Sequence, residues 1–288
     1  MALGLLASPA QAAFPGKNGL IAFERSVRAE TYVYTARPDG SGARRLSCSR
    51  RDPAGKCFDR EPAWDRTGTR LAVANSDGIA VVDRSGKLIK QVATHGPPSD
   101  EPLLDSTFGE PAWSPNSKAL AYADRAGDDT EVYIVEIETG KTRKLTHGPA
   151  EPAWSVSNRI ALSGFYLWTV WPDGKVPRVV FNGEVVGLDW SPGGRQLLFT
   201  NGERLFTSRS SGRGRRRLRI GRRVEPSDPK WSPNGKVVIW VSVRRGKPRV
   251  QALNRRTGRV RTLIHNALSP DWQPRPRSGA HTDDVIKP

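Results

Sequence analysis

The chain of 288 residues is short of the side chains on which most enzymes and metalloproteins depend: it has two cysteines, four histidines and one methionine. Two thiols with no further ligand beside them in sequence do not make a structural zinc site, which needs four ligands at fixed spacing. His95, His147, His265 and His281 are scattered, and no H-E-x-x-H pair occurs. No G-x-S-x-G nucleophile elbow, phosphate loop or dinucleotide fingerprint is present either, so the motif-bearing hydrolase and nucleotide-binding classes are excluded. No apolar run reaches the ~20 residues of a membrane helix. Hydrophobic residues make up only 36%, which suits many short strands better than a few long buried elements. The 28 glycines and 23 prolines punctuate such strands.

Acidic residues are scarce in one stretch above all. The formal net charge is +17. Between Thr200 and Arg277 there are 18 Arg and 3 Lys against only Glu203, Glu225, Asp228 and Asp271, whereas the remainder, with 25 basic and 25 acidic residues, is neutral. Arg outnumbers Lys 34 to 12. A GC-rich coding sequence produces that bias unaided, so composition alone does not make a binding site.

The first twelve residues are apolar, then small, and end in Ala10-Gln11-Ala12, an A-x-A cleavage pattern without a positive n-region. Residues 1–12 therefore read as a signal-peptide-like segment of an exported protein, 13–19 as a short lead-in, and 275–288 as a flexible tail. In an exported chain, Cys48 and Cys57, which bracket one loop, are expected to form a disulfide.

What the sequence has is a repeat. Glu61-Pro-Ala-Trp64, Glu110-Pro-Ala-Trp113, Glu151-Pro-Ala-Trp154, Leu188-Asp-Trp190, Asp228-Pro-Lys-Trp231 and Ser269-Pro-Asp-Trp272 share one register, with steps of 49, 41, 36, 41 and 41 residues between tryptophans. A period near 40 containing four strand-like runs is the signature of a propeller blade. After each tryptophan comes a tight turn, as in Ser114-Pro-Asn-Ser117 and Ser232-Pro-Asn-Gly235, where Pro presets φ and Asn or Gly tolerates positive φ. Second and third strands follow, such as Ala119-Leu-Ala-Tyr122 and the alternating Glu131-Val-Tyr-Ile-Val-Glu136. The chain starts with second, third and fourth strands (from Leu20, Tyr32 and Ala43) and ends with a lone first strand around Trp272. The two ends together complete a sixth blade. The expected fold is all-β over residues 20–274: a six-bladed β-propeller with four antiparallel strands per blade, its last blade closed by N-terminal strands plus the C-terminal strand.

The stretch from Glu110 to Trp154, EPAWSPNSKALAYADRAGDDTEVYIVEIETGKTRKLTHGPAEPAW, resembles the repeat of the TolB-like family of bacterial envelope propellers, and the resemblance runs from about Leu20 to Gln273. It implies the propeller and an envelope setting. TolB itself has an extra domain ahead of its propeller, and since the strand pattern here starts at Leu20, no such domain is expected in this chain. Related blades also form the non-catalytic half of prolyl oligopeptidase-like enzymes, whose hydrolase domain is likewise not found here.

Four sets of residues are candidates for function or structure. Trp64, Trp113, Trp154, Trp190, Trp231 and Trp272 recur with the blade and are expected to wedge between neighbouring blades rather than to touch a ligand. Glu61, Glu110, Glu151 and Asp228 share one repeat position at the start of channel-lining strands. Carboxylates so gathered repel one another unless a cation sits among them, which would suit calcium or a basic peptide end; no other cofactor is expected. Arg213, Arg215, Arg216, Arg217, Arg219, Arg222 and Arg223, with Arg244 and Arg245 in the next blade, are expected to merge into one positive sector attractive to a polyanion. His95, His147 and His265 each follow a fourth strand, the place of a turn residue rather than a catalytic base. The resulting expectation is a monomeric, exported, non-catalytic binding or scaffolding propeller that holds a protein or an anionic envelope polymer. Export argues against nucleic acid as a partner. The rival reading is a propeller hydrolase or lyase that uses a metal in the channel.

Overall fold

The computed structural model describes residues 14–94, 107–126, 129–147, 151–221 and 224–275. The signal-like segment 1–12, Arg222, Arg223, His95, His281 and the tail beyond Arg275 lie outside the described residues.

Six four-stranded antiparallel sheets form the six blades. Blade 1 comprises β4 (Arg60–Trp64), β5 (Arg70–Asn75), β6 (Gly78–Asp83) and β7 (Leu88–Thr94). Blade 2 runs through β8 (Thr107–Trp113), β9 (Ala119–Ala126), β10 (Asp129–Glu136) and β11 (Thr142–His147). Blade 3 contains β12 (Pro152–Trp154), β13 (Ile160–Leu162), β14 (Gly164–Val170) and β15 (Arg178–Val185). Blade 4 has β16 (Gly187–Trp190), β17 (Gln196–Thr200), β18 (Leu205–Arg209) and β19 (Arg216–Arg217), and blade 5 has β20 (Pro226–Trp231), β21 (Val237–Arg244), β22 (Lys247–Asn254) and β23 (Val260–His265). Blade 6 is made from both ends of the chain: β24 (Leu268–Arg275) pairs with β1 (Lys17–Val27), followed by β2 (Glu30–Ala36) and β3 (Arg44–Arg45). The closure is antiparallel, with Ile21 opposite Trp272 and Ala22 opposite Asp271. It pairs the edges that an open chain of blades would leave free.

Each blade is locally specified by the residues after its tryptophan. Ser114 Oγ accepts the amide of Ala119 at 2.9 Å, and Ser191 and Ser232 do the same for Gln196 (3.1 Å) and Val237 (3.0 Å). Asp65 plays this part in blade 1, where it also meets Arg70. The fourth turn residue is left-handed: Gly68, Ser117, Asn158, Gly194 and Gly235 have φ between 55° and 68°. A glycine or asparagine suits that conformation.

The hydrophobic core is divided into six clusters, one between each pair of neighbouring blades, and each holds one repeat tryptophan. Trp113 packs with Ala72 and Val81 of blade 1 and with Leu120 and Val135 of its own blade. Trp64 likewise meets Ala22 and Val33 of blade 6, and Trp272 meets Ile239 and Val241 of blade 5. Trp154, Trp190 and Trp231 occupy the other three interfaces. Two indoles also bond across the interface, Trp113 Nε1 to the carbonyl of Ala63 (2.9 Å) and Trp190 Nε1 to that of Ala153 (3.0 Å). The tryptophans are thus wedges between blades.

Cys48 and Cys57 are disulfide-bonded, with Cα atoms 6.0 Å apart. The bond closes the connection from blade 6 to blade 1, and that loop is further tied to β2, since the Cys57 carbonyl accepts the Thr31 amide at 2.8 Å. Beneath it, buried Asp59 accepts the amide of Ser49 at 2.6 Å.

Deleting the residues after Ser269 removes Trp272 and reopens the ring. The truncated protein is expected to lose at least the ~3–5 kcal/mol of a buried tryptophan and to melt well below the full chain in calorimetry. Replacing both cysteines by serine should cost less, about 2–3 kcal/mol for so short a loop, readable as a lower denaturant midpoint, and the intact mass of the unreduced wild type should show two hydrogens fewer than the reduced form.

Candidate functional site

The first strands converge on the axis and enclose a cavity of about 110 Å³. That volume is well under the ~300 Å³ at which small-molecule pockets begin; it suits an ion, a few waters or the end of a side chain. Among the described residues, six acidic side chains line it, Glu61, Glu110, Glu151, Asp189, Asp228 and Asp271, against one lysine, Lys230. Glu24 of β1 abuts this group, its carboxylate accepting the Glu61 amide at 3.0 Å.

Two tiers are distinguishable. The upper tier contains the predicted set of Glu61, Glu110, Glu151 and Asp228, and the structure does bring these four together. Glu61, Glu110 and Asp228 have φ of 50°, 50° and 46°, and Ser269, their equivalent in blade 6, has 45°. Each precedes a proline and each interrupts the pairing register as a bulge. Left-handed residues before proline are strained, and hydrogen bonding holds these in place. The bulge turns the amide toward the preceding blade, where a carboxylate accepts it: Glu61 Oε2 takes the Glu110 amide at 2.5 Å, Glu24 takes that of Glu61, and Asp228 takes that of Ser269. Glu151 is held differently, its amide donating to Ser163 Oγ at 3.2 Å within its own blade. The acidic ring therefore also staples blade to blade.

The lower tier occupies the position just before the tryptophan. Alanine stands there in blades 1 to 3 (Ala63, Ala112, Ala153), but blades 4, 5 and 6 carry Asp189, Lys230 and Asp271. Asp189 Oδ2 accepts the Trp231 amide and Asp271 Oδ2 the Trp64 amide, both at 2.7 Å. The aspartate–lysine–aspartate alternation places the one cation between two anions. Sequence reasoning missed this tier, though its signal, a charged residue where half the repeats have alanine, is visible in the alignment.

Enclosure by protein, with water reaching them only through the cavity, governs the ionisation of these groups. Burial raises Asp189 to about 7 and Asp271 to about 6, in each case against the opposing pull of Lys230. Glu110 is raised well above the usual carboxylate range, first by burial, then by repulsion from Glu151, Glu61 and Asp228. Asp228 is raised by burial, as is Glu24, where Glu61 and Asp228 add repulsion. For Lys230 burial is the largest single influence and pulls downward, but Asp189, Asp271, Glu110 and Asp228 together outweigh it, and the ammonium is held above its ordinary range. One cation is thus shared among more carboxylates than it can neutralise.

The predicted arginine sector is not one patch. In an antiparallel blade successive turns alternate between the two ends of the ring. Arg213 and Arg215 sit in the turn between β18 and β19, at the end where the tryptophans finish; Arg216 and Arg217 form β19 on the outer rim; Arg244 and Arg245 lie at the β21–β22 hairpin, at the opposite end. Arg219 follows β19 and is exposed. Arg215 stacks on Phe181 and Phe206, with its guanidinium carbon 4.8 and 5.7 Å from the ring centroids. Adjacent blades put the clusters side by side, but strand direction sends them to different ends. His147 and His265 end β11 and β23, outside the cavity lining. The cluster of Cys48, Cys57 and Asp59 has the proximity of metal ligands, but both sulfurs are committed to the disulfide.

The family described as the TolB beta propeller domain matches residues 61–276. Among solved structures, TolB from Acinetobacter baumannii superposes with a TM-score of 0.69 at 16% identity, covering 89% of this chain and 67% of that one. A chain of the nidogen/laminin complex gives 0.65 at 11% identity (85% and 93% covered), and oligogalacturonate lyase from Vibrio parahaemolyticus 0.57 at 10% (89% and 78%). Such identities establish the fold alone. The "Uncharacterized peptidase YuxL" of Bacillus subtilis (strain 168) is 34% identical over 106 residues, 33% of this chain but 15% of that protein.

The pH dependence of stability tests the lower tier. Asp189, at about 7 in the folded state, binds its proton more tightly there than in the unfolded chain, near 3.9. Its contribution to stability is therefore greatest below ~4 and falls as pH rises toward 7. Asp189→Asn, which keeps an acceptor for the Trp231 amide, is expected to flatten the decline of melting temperature between pH 4 and 7; an unchanged profile would mean that Asp189 ionises as in water.

Proposed function

Since the chain belongs to the TolB β-propeller family, we propose that it is a non-catalytic binding module whose acidic channel mouth takes a cationic group of a partner protein, a lysine, arginine or chain-terminal ammonium. The observation that carries this reading is the imbalance in the cavity, six acidic side chains against Lys230. Burial and mutual repulsion raise Glu110 most clearly, and an incoming cation would relieve both. The cavity's size fits a side-chain end and not a metabolite. A small hard cation such as calcium is a competing occupant of the same carboxylates.

An exported setting accords with the disulfide, since such bonds persist in oxidising compartments. The peptidase and lyase names among the relatives carry little weight for a catalytic assignment: the peptidase match spans 15% of that protein, and the lyase likeness, at 10% identity, is one of fold.

Calorimetric titration with tri-lysine, alongside calcium chloride, tests the reading. Wild-type protein should bind the peptide, and Glu110→Gln with Asp228→Asn should weaken it at least tenfold while melting at an equal or higher temperature. Undiminished binding by the double variant would place the cationic group elsewhere, and calcium binding without peptide binding would make the ring an ion site instead.

A further inference from the structure

The end of the ring opposite the acidic mouth has a regularity that neither the family nor the arginine bias explains. It is built from the turns between first and second strands and those between third and fourth strands. The five complete first–second turns contain Arg66, Lys118, Arg159, Arg195 and Lys236, one per blade. In blade 6, where the chain ends meet, Lys17 lies opposite Arg275. The third–fourth turns carry Arg37, Arg84, Lys141, Lys175, Arg213 and Arg256, again one or more per blade. Each of the eleven turns on this face, and the chain-end pair that closes blade 6, thus carries a basic side chain, and all of those named are exposed except Arg159, which is half-buried.

Six acidic residues belong to the same turns: Asp39, Asp65, Glu138 and Asp173 within them, and Asp83 and Glu136 at the strand ends that enter two of them. Asp65 is buried. Asp39 and Asp173 bond the amides of their own turns, Ser41 and Lys175, each at 2.9 Å. Asp173 also pairs with Lys175 at 3.7 Å, and Arg66 and Arg159 donate to the Pro115 carbonyl and to Thr169 Oγ1, so these three bases are partly engaged while the others named remain exposed. Hairpin tips at the opposite end do not follow this rule: they read Arg28-Ala29, Ser76-Asp77, Ser163, Asn201–Arg204 and Arg245-Gly246 among the described residues, with a base in three of the five. A compositional excess of arginine would fill both ends alike.

The geometry points to this basic face as a docking surface for an anionic lipid bilayer, seated flat against the headgroups. A ring of turn tips at one end of a disc matches a plane of charge, whereas a single polymer strand would call for a groove or a stripe. Phe14 and Pro233 line the channel at this end, with the Gly16 amide donating to the Pro233 carbonyl at 3.2 Å, so the centre of the same face is closed by apolar side chains inside the basic ring. Screening limits the attraction to about 8 Å at physiological salt, so the surface holds only what it touches, and each basic side chain near an anionic leaflet strengthens the contact.

Co-sedimentation of the full chain with phosphatidylglycerol–phosphatidylcholine vesicles (3:7) and with pure phosphatidylcholine vesicles tests the inference. Binding should require phosphatidylglycerol and weaken as salt rises. A variant carrying Lys118→Glu, Arg195→Glu and Lys236→Glu should partition about a hundredfold more weakly. A charge-matched control, Arg219→Glu, Arg244→Glu and Arg245→Glu, alters the rim and the opposite end and should lose under tenfold; circular dichroism melts check that both remain folded. Equal losses in the two variants would reduce the effect to diffuse net charge and overturn the proposal, as would absence of wild-type binding. Soluble polyglycerol phosphate binding under conditions where vesicles do not would overturn it in favour of a polymer partner. None of these outcomes depends on the channel carboxylates.

Discussion

The antiparallel pairing of β24 with β1 is the constraint on which the rest of the molecule depends. A blade buries little by itself; its tryptophan needs the face of the blade before it, so an open series would leave one interface half-made at each end. Joining Trp272 to Ile21 removes both ends at once and completes a ring of six equivalent interfaces. Closure also fixes what the first strands must do at the axis. Their starting residues have nowhere to go but toward one another, and whatever the repeat carries there is concentrated sixfold. A carboxylate that would be unremarkable on one strand becomes part of a cluster because the ring is shut.

The repeat made the fold legible because each of its elements has a local cause. Trp-Ser-Pro followed by Asn or Gly predicts a tight turn, and the structure adds its cause, a serine that accepts the returning strand's amide in blades 2, 4 and 5. The upper carboxylates were legible for the same reason, being a fixed repeat position. The lower tier was not, because Asp189, Lys230 and Asp271 break the repeat instead of obeying it. Lys230 in particular counts, by chain position, as part of the basic stretch, yet it is the one cation in an acidic cavity. Glu24 was missed because it belongs to a second strand, and only its hydrogen bond to the Glu61 amide draws it toward the axis. The arginine clusters failed in the opposite way: sequence proximity and blade adjacency were right, but alternation of strand direction places Arg213 and Arg244 at different ends.

The channel is expensive. Left-handed residues before proline cost of order 1–3 kcal/mol each, and buried carboxylates that must compete for one lysine lose solvation they do not recover in full. The upper ring partly offsets this by turning the strained amides into staples between blades, so the groups that repel one another also hold neighbouring blades in register. Six tryptophan interfaces supply the stability that makes such an arrangement tolerable. Strain and poorly neutralised charge gathered at one place, on a scaffold otherwise built from consistent local choices, is the pattern expected where selection acts on binding.

Charge is sorted along the ring axis as well as concentrated in it. The strands begin at an acidic mouth and end in turns that carry a base in every blade, so the molecule is electrically polar from one face to the other. The two features have different origins in the chain. The acidic mouth arises from bulge residues whose side chains face the axis, and the basic face from turn residues whose side chains face outward. A turn tolerates almost any polar residue that does not disturb its φ angles, which makes turns the cheapest positions at which to write a surface charge. An arginine-rich composition supplies the material, but it does not explain why the tips at the other end include Ser76-Asp77 and Ser163. Near an anionic surface, attraction at the basic face and repulsion at the acidic mouth would act in the same sense, so such a surface would turn the mouth outward and leave its carboxylates open to solvent.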